Sequence, residues 1–411
     1  MTILANMNTA QKAEFAAAII ASAGVGLAPY LGQVSASSLP NNISTGFKSG
    51  NGQIPRVAAS RITQPRLAFA NWYQNSTVHE AGTGGTATFS ASIQYPISAT
   101  PATGTWQAIT WGGAATVTAA DGATTALSDP LTLTTPIPAG AAYLIRWHVE
   151  ATAQIAFYNF TGLNTFIPNQ LCEANATAGA LADKTSGGTI AAGTSANNVF
   201  PVLIVDTTTR PSFYMGPTDS RVFGLQDLMD ASGHIGELAR SIGGQYGYIN
   251  AGCPSETLQG WLLGYTRRSA LAQYCSHVIG QNGINDNAAG RTAAQVAADI
   301  TTATAVFTGM GKTVQWTTLP PISTSTDGWA TTANQTVSNF NAARTALNDI
   351  LRSGQIAGLS GTIDIASVVE SGLNSGLWTP LATNDGIHEN YLGNQLIKRS
   401  RVVASATAAR P

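Results

Sequence analysis

Residues 212–220 read Ser-Phe-Tyr-Met-Gly-Pro-Thr-Asp-Ser. A short apolar run closes on Gly-Pro, and polar residues suited to opening a helix follow it. The same unit recurs towards the C-terminus. Strand-like runs at 212–216, 246–251, 276–280, 313–319 and 363–366 precede helical patterns at 222–242, 258–274, 292–308, 337–352 and 390–404. Five strands alternating with helices predict a parallel five-stranded sheet covered on both faces, a three-layer α/β domain of flavodoxin-like type over residues 207–411. Ligands of such sheets bind beyond the carboxyl ends of the strands.

Before residue 207 the pattern differs. Residues 86–95 alternate strictly, with Ala87, Phe89, Ala91, Ile93 and Tyr95 on one face. Residues 143–150 set Tyr143, Ile145, Trp147 and Val149 against Arg146, His148 and Glu150. WQAITW, ATVTAA and PLTLTTPIPAG lie between them, separated by turn residues. Such spacing predicts an N-terminal antiparallel β-sandwich, jelly-roll-like, over 51–206, with 178–198 as a loop or linker. Residues 1–50 are set apart as an N-terminal helix and extended segment. Thr9 opens a helical pattern there, and the apolar run 15–28 is too short to span a bilayer.

The 411 residues are enough for two or three domains at ~150 residues each. Charged residues make up 10%, against ~25% in an average soluble chain, and the formal net charge is −1. No basic patch suited to a phosphate backbone is present, so nucleic acid is not an expected partner. A polar but uncharged composition points to an extracellular or virion-associated protein. Cys172, Cys253 and Cys275 allow at most one disulfide, and no Cys/His cluster has zinc spacing. Neither a metal nor a cofactor is expected. His79, His148, His234 and His277 read as structural or exposed residues, and Asp219, Asp286 and Glu389 as helix caps and loop supports.

Chemically competent residues gather after the strands. Asp385 and His388 stand three apart, so one helical turn brings them within reach. A carboxylate there fixes the imidazole tautomer and leaves Nε2 as a base. Imidazole suits this work because its unperturbed pKa is ~6.5. An isolated D-x-x-H also occurs by accident, as a capping Asp beside an unrelated His. Ser220 follows the first strand at a helix start, where it is either an N-cap or a nucleophile with its own amide facing an oxyanion. Asn285 offers a carboxamide donor in Gly283-Ile-Asn285-Asp286, with Asn282 as the competing candidate. Turn formation is the bland alternative for both.

Together these segments resemble the SGNH (GDSL-type) hydrolase family over roughly residues 207–411, most specifically at DGIHENYLGNQL, residues 385–396. TLPP at 318–321 and NAARTALNDILRS at 341–353 also look like family framework. The resemblance implies Ser220 as nucleophile and oxyanion donor, His388 as general base and acid, Asp385 as its partner, and Asn285 as an oxyanion donor. It leaves the second backbone donor open between Ser255 and Gly252. Thr218 stands where the family usually has Gly, and Ser255 falls where the second block usually has its Gly. No Ser sits in the G-x-S-x-G pattern of α/β-hydrolases.

The implied activity is ester hydrolysis through an acyl-enzyme, most of all O-acetyl removal from a polysaccharide. The alternatives are a general short-chain or lipolytic esterase, and a non-catalytic glycan-binding or phage-tail protein. Trp106, Trp111 and Trp147 offer either sugar platforms or sandwich core, with Trp147 reading as core. Trp329 and Trp378 offer a pocket wall or core. The N-terminal region is a candidate attachment to a larger assembly.

Overall fold

The computed structural model describes residues 27–159, 170–191 and 197–408. The expected N-terminal helix lies outside the described residues. Among those residues, no helix is long and apolar enough to cross a membrane.

The C-terminal half is built on a parallel sheet of six strands, not five. Their order is Ala36–Ser38, Gly247–Gly252, Ser212–Thr218, His277–Gly280, Thr313–Thr317 and Gly361–Ile363. The last five follow the 2-1-3-4-5 order of a doubly wound sheet, whose switch points flank the first strand. The additional edge strand, Ala36–Ser38, comes from the N-terminal half. Val296, Ile300, Phe307, Leu347 and Leu351 cover one face, and Leu238, Ile242, Val369, Ile397 and Val403 the other.

Several helices are shorter than the sequence predicts. The 222–242 segment is helical only at Ser220–Phe223 and Ala239–Ile242. Gly224, Gly233 and Gly236 between them adopt positive φ. The 258–274 segment divides into Leu258–Leu263, Thr266–Ala270 and a 3₁₀ turn at Leu271–Tyr274. Ala293–Thr308 is continuous, with the Thr292/Gln295 capping box in place.

The antiparallel half places strands Val117–Ala119, Ala87–Gln94, Ala142–Ala151, Ser49–Val57 and Leu171–Asn175 side by side, with Gln107–Ala108 on the edge of Ala87–Gln94. Two three-stranded sheets and the hairpin Trp72–Asn75/His79–Gly82 accompany it. The apolar faces read from the sequence, including Phe89, Ile93, Ile145 and Trp147, pack against Leu67, Phe69, Phe157 and Ile204. Residues 131–137 hydrogen-bond along 62–65 without forming a named strand.

The expected boundary at residue 50 cuts through Ser49–Val57, which pairs along its whole length with Ala142–Ala151. The boundary at 207 divides Leu203–Thr208, which pairs with Tyr30–Gln33. The core crosses it as well: Leu39, Trp72, Val202 and Val205 pack in one cluster with Tyr214, Ile249, Leu258 and Val278. Cys172, Cys253 and Cys275 are all buried and free, so the disulfide left open by the sequence is not formed.

A fragment of residues 207–411 would expose its side of that shared cluster and lose an edge strand. It is expected to lack the sharp thermal transition of the full chain by circular dichroism. A fragment melting as cooperatively as the full chain would refute the shared core.

Candidate active site

Strand Ser212–Thr218 delivers Ser220 to the carboxyl edge of the sheet, between its two neighbouring strands. Asp219 caps the following turn by accepting from the Arg221 amide at 3.0 Å, and its own amide donates to Gln281 Oε1 at 3.1 Å. Ser220 is therefore the first helical residue, and its N–H has no backbone acceptor among the described residues.

His388 approaches from the far end of the chain. Its Nε2 lies 2.8 Å from Ser220 Oγ, and its Nδ1 2.7 Å from Asp385 Oδ2. Asp385 Oδ1 accepts from the Ile387 and His388 amides, each at 2.8 Å. Burial alone would raise the Asp385 carboxyl, but hydrogen bonds from the His388 ring and the two amides outweigh it and bring it down to about 2. The acid thus stays ionised, accepts Nδ1–H and leaves Nε2 free to accept the Ser220 proton.

Gly386 makes the tight turn between these residues. Its φ is +74°, and a Cβ there would overlap the Ser323 carbonyl oxygen and the Trp329 ring. Trp378 Nε1 donates to the Gly386 carbonyl at 2.9 Å, and Trp378 is fully buried. Trp378 is thus core beneath the Asp–His turn, and the partly buried Trp329 packs against that core. Trp111 and Trp147 are also buried, and Arg146 lies over the half-buried Trp106 ring at 4.4 Å, so none of these three is an open sugar platform.

The oxyanion candidates separate by what their donors already do. The Gly252 amide donates to Asn250 Oδ1 at 2.9 Å, so it is spent. Ser255 is exposed, adopts φ +64°, and its amide has no backbone acceptor among the described residues. A left-handed non-glycine residue is strained and marks a site held by its surroundings. Asn285 Nδ2 donates one proton to the Glu256 carbonyl at 3.0 Å, which leaves its second proton available. Asn282 is fully buried and its Nδ2 has no partner among the described residues, so it stays a candidate beside the partly exposed Asn285.

Arg221 is a participant the sequence reading missed, although it directly follows Ser220. Fully buried, it donates to the Ile387 carbonyl from Nε at 3.0 Å and from Nη2 at 2.7 Å, and to the Pro321 carbonyl at 3.3 Å. It thereby ties the Ser220 turn to the His388 turn. Its Nε lies 3.9 Å from Glu389 Oε1. Burial pushes the carboxyls of Asp219, Glu237 and Glu389 upward, opposed in each case by Arg221. Asp286 accepts from the Leu258 and Gln259 amides at a helix start. Among the described residues, no cluster of His, Cys, Asp and Glu could hold a metal ion.

The chain matches no family model and no curated protein. It is similar to solved structures of GDSL-type hydrolases and acetylesterases. A GDSL-like lipase from Bacteroides thetaiotaomicron is 15% identical, covering 47% of this chain and 88% of that one, with a TM-score of 0.36. A carbohydrate acetylesterase from Sinorhizobium meliloti is 16% identical, covering 48% and 99%, with a TM-score of 0.32. A peptidoglycan O-acetylesterase is 11% identical, covering 94% and 78%, with a TM-score of 0.40.

Two predictions follow from the turn at 385–388. Gly386→Ala should lower turnover roughly 10²-fold, the scale of a ~1 Å misplacement, in steady-state ester hydrolysis. The depressed Asp385 carboxyl stabilises the fold above the unfolded value of ~3.9, and this contribution is lost as pH falls through about 2. Asp385→Asn should therefore melt below the parent near neutral pH and converge with it towards pH 2. A constant gap across that window would contradict the assignment.

Proposed function

We propose that this chain is a serine ester hydrolase of SGNH type, acting through an acyl-enzyme, with O-acetyl groups on a polysaccharide as its preferred substrate. The supporting observation is the continuous hydrogen-bond chain from Ser220 Oγ through both nitrogens of His388 to Asp385.

Ser220 Oγ attacks the ester carbonyl carbon while His388 Nε2 takes its proton. Negative charge develops on the former carbonyl oxygen. The Ser220 and Ser255 amides and the second Nδ2 proton of Asn285 are the donors for it. Collapse of the tetrahedral intermediate breaks the ester C–O bond, and His388 gives its proton to the departing alcohol. Water then attacks the acyl-enzyme, His388 again serving as base, and the carboxylic acid leaves as Ser220 recovers its proton. Asp385 holds the ring and balances the imidazolium throughout.

An acyl group carried on a bulky polymer fits the rim of the site. Ile387 is 41% exposed and Tyr391 48%, and Ser255 is exposed. The low-charge composition supports an extracellular or virion-associated setting for such a substrate.

Ser220→Ala should reduce hydrolysis of p-nitrophenyl acetate by at least ~10³-fold, and Asn285→Ala by ~10²–10³-fold. Parent-like rates in the Ser220 variant would eliminate the assignment. Acetate release from a panel of acetylated polysaccharides, with Ser220→Ala as blank, tests the substrate. Faster cleavage of longer acyl esters would favour a general lipolytic enzyme instead.

A further inference from the structure

The hairpin Trp72–Asn75/His79–Gly82 belongs by sequence to the antiparallel half, yet it lies against the loop that carries Ser255. Gln74 is fully buried and donates through Nε2 to the carbonyl oxygens of Ala251 at 3.2 Å and Gly252 at 3.1 Å. These are the last two residues of strand Gly247–Gly252, just before the Ser255 turn. Gln74 Oε1 accepts from Arg268 Nη1 at 3.2 Å.

Arg268 is fully buried and forms a two-pronged pair with Glu256, at 2.7 Å and 2.8 Å. The hairpin supplies a second acid: Glu80 lies 3.6 Å from Arg268 Nε and accepts from the Arg267 and Arg268 amides at 2.9 Å and 2.8 Å. His79 brings Nδ1 to 3.5 Å from Glu256 Oε1, and its ring fills the space over Gly260, where a Cβ would crowd it.

Glu256 links this cluster to the chemistry. Its carbonyl accepts from Asn285 Nδ2, and its amide donates to the Cys253 carbonyl at 3.2 Å, closing the turn that holds Ser255 at positive φ. Two candidate oxyanion donors therefore rest on one residue. The carboxylate of that residue is fixed by an arginine that the hairpin holds from the other side. A buried bidentate Arg–carboxylate pair is rigid, and removing a partner leaves uncompensated charge.

We propose that the 72–82 hairpin is a positioning element of the oxyanion site: through Gln74, His79 and Glu80 it fixes the Arg268–Glu256 pair, and so holds the Ser255 amide and the Asn285 carboxamide towards Ser220. The proposal rests on the serine-esterase reading. Gln74 and Glu80 are positioning residues, since neither is placed at the reacting atoms. On this account the antiparallel half is part of the hydrolytic machinery and is not a separate appendage.

The test is a double-mutant cycle in the full chain, read as kcat and KM on p-nitrophenyl acetate. Gln74→Ala should lower kcat by roughly 10–100-fold with KM within about twofold, because a displaced donor weakens only transition-state binding. In an Asn285→Ala background the further loss from Gln74→Ala should shrink to a few-fold, since one donor that Gln74 positions is already absent. Glu80→Gln keeps shape and removes charge. It should give the same pattern when kcat is read well below each variant's own melting temperature, so that lost stability is not counted as lost turnover. Parent-like kcat in both hairpin variants overturns the proposal, as does a full multiplicative loss in the Asn285→Ala background. Parent protein that is inactive, or whose activity survives Ser220→Ala, overturns the esterase reading and this proposal with it.

Discussion

The bond between His388 Nε2 and Ser220 Oγ joins residues 168 positions apart, and the rest of the site is arranged to keep those atoms in register. Ser220 is fixed because its strand is central and its turn is capped by Asp219. His388 is fixed because Asp385 gathers its ring and two adjacent amides, and because Gly386 seats the turn over Trp329 and Trp378. Arg221 spans the remaining gap by holding the Ile387 carbonyl. The alignment is thus set by backbone on both sides, and little side-chain entropy remains to be lost when a substrate arrives.

Arg221 belongs to a wider pattern. Charged residues are only 10% of the chain, yet several arginines are buried beneath loops. Arg268 donates to the Gly264 carbonyl, Arg344 to the Leu319 carbonyl and Arg240 to the Leu228 carbonyl, while Glu256, Glu370 and Asp227 respectively supply the counter-charge. Buried pairs of this kind contribute little net stability, because desolvation offsets much of the attraction. What guanidinium groups contribute is donors: five N–H groups in a fixed fork satisfy carbonyls in loops that have no ladder of their own. Loops at the carboxyl edge of a parallel sheet are where such carbonyls accumulate, and the candidate site lies there.

These particulars explain which features were legible in the sequence. The strict alternation at 86–95 and 143–150 and the strand–helix rhythm after 207 were readable because each is a periodic signal. Strand-end position and D-x-x-H spacing made Ser220, Asp385 and His388 candidates, and it was the resemblance to the SGNH family that grouped them. The sixth parallel strand was not: Ala36–Ser38 is three residues long and carries no periodicity. The long helix expected at 222–242 failed because apolar spacing does not report the left-handed backbone at Gly224, Gly233 and Gly236. What separates Ser255 from Gly252 is one hydrogen bond, donated by the Gly252 amide to Asn250 Oδ1, which spacing does not encode. Arg221 and the 72–82 hairpin were invisible for the same reason, since their partners lie far away in sequence.

The abundance of neutral polar residues also has a source inside the fold, where many of them are buried. Ser90 and Ser92, on the polar face of the alternating strand Ala87–Gln94, donate to Asp183 Oδ2 at 2.5 Å and to the Thr185 carbonyl at 2.6 Å. Asn51 donates to the Ala182 carbonyl, and Arg146 to the Lys184 carbonyl. Residues 182–185, within the stretch read as a loop or linker, therefore lie over the polar face of the main antiparallel sheet. A strand with both faces covered can still alternate, provided the second cover is polar backbone and not an apolar layer. Small hydroxyl and amide side chains suit that arrangement because they pair with a loop's backbone carbonyls without demanding a counter-charge. The sparse charge of this chain thus reflects how its sheets are covered as much as the surface it presents.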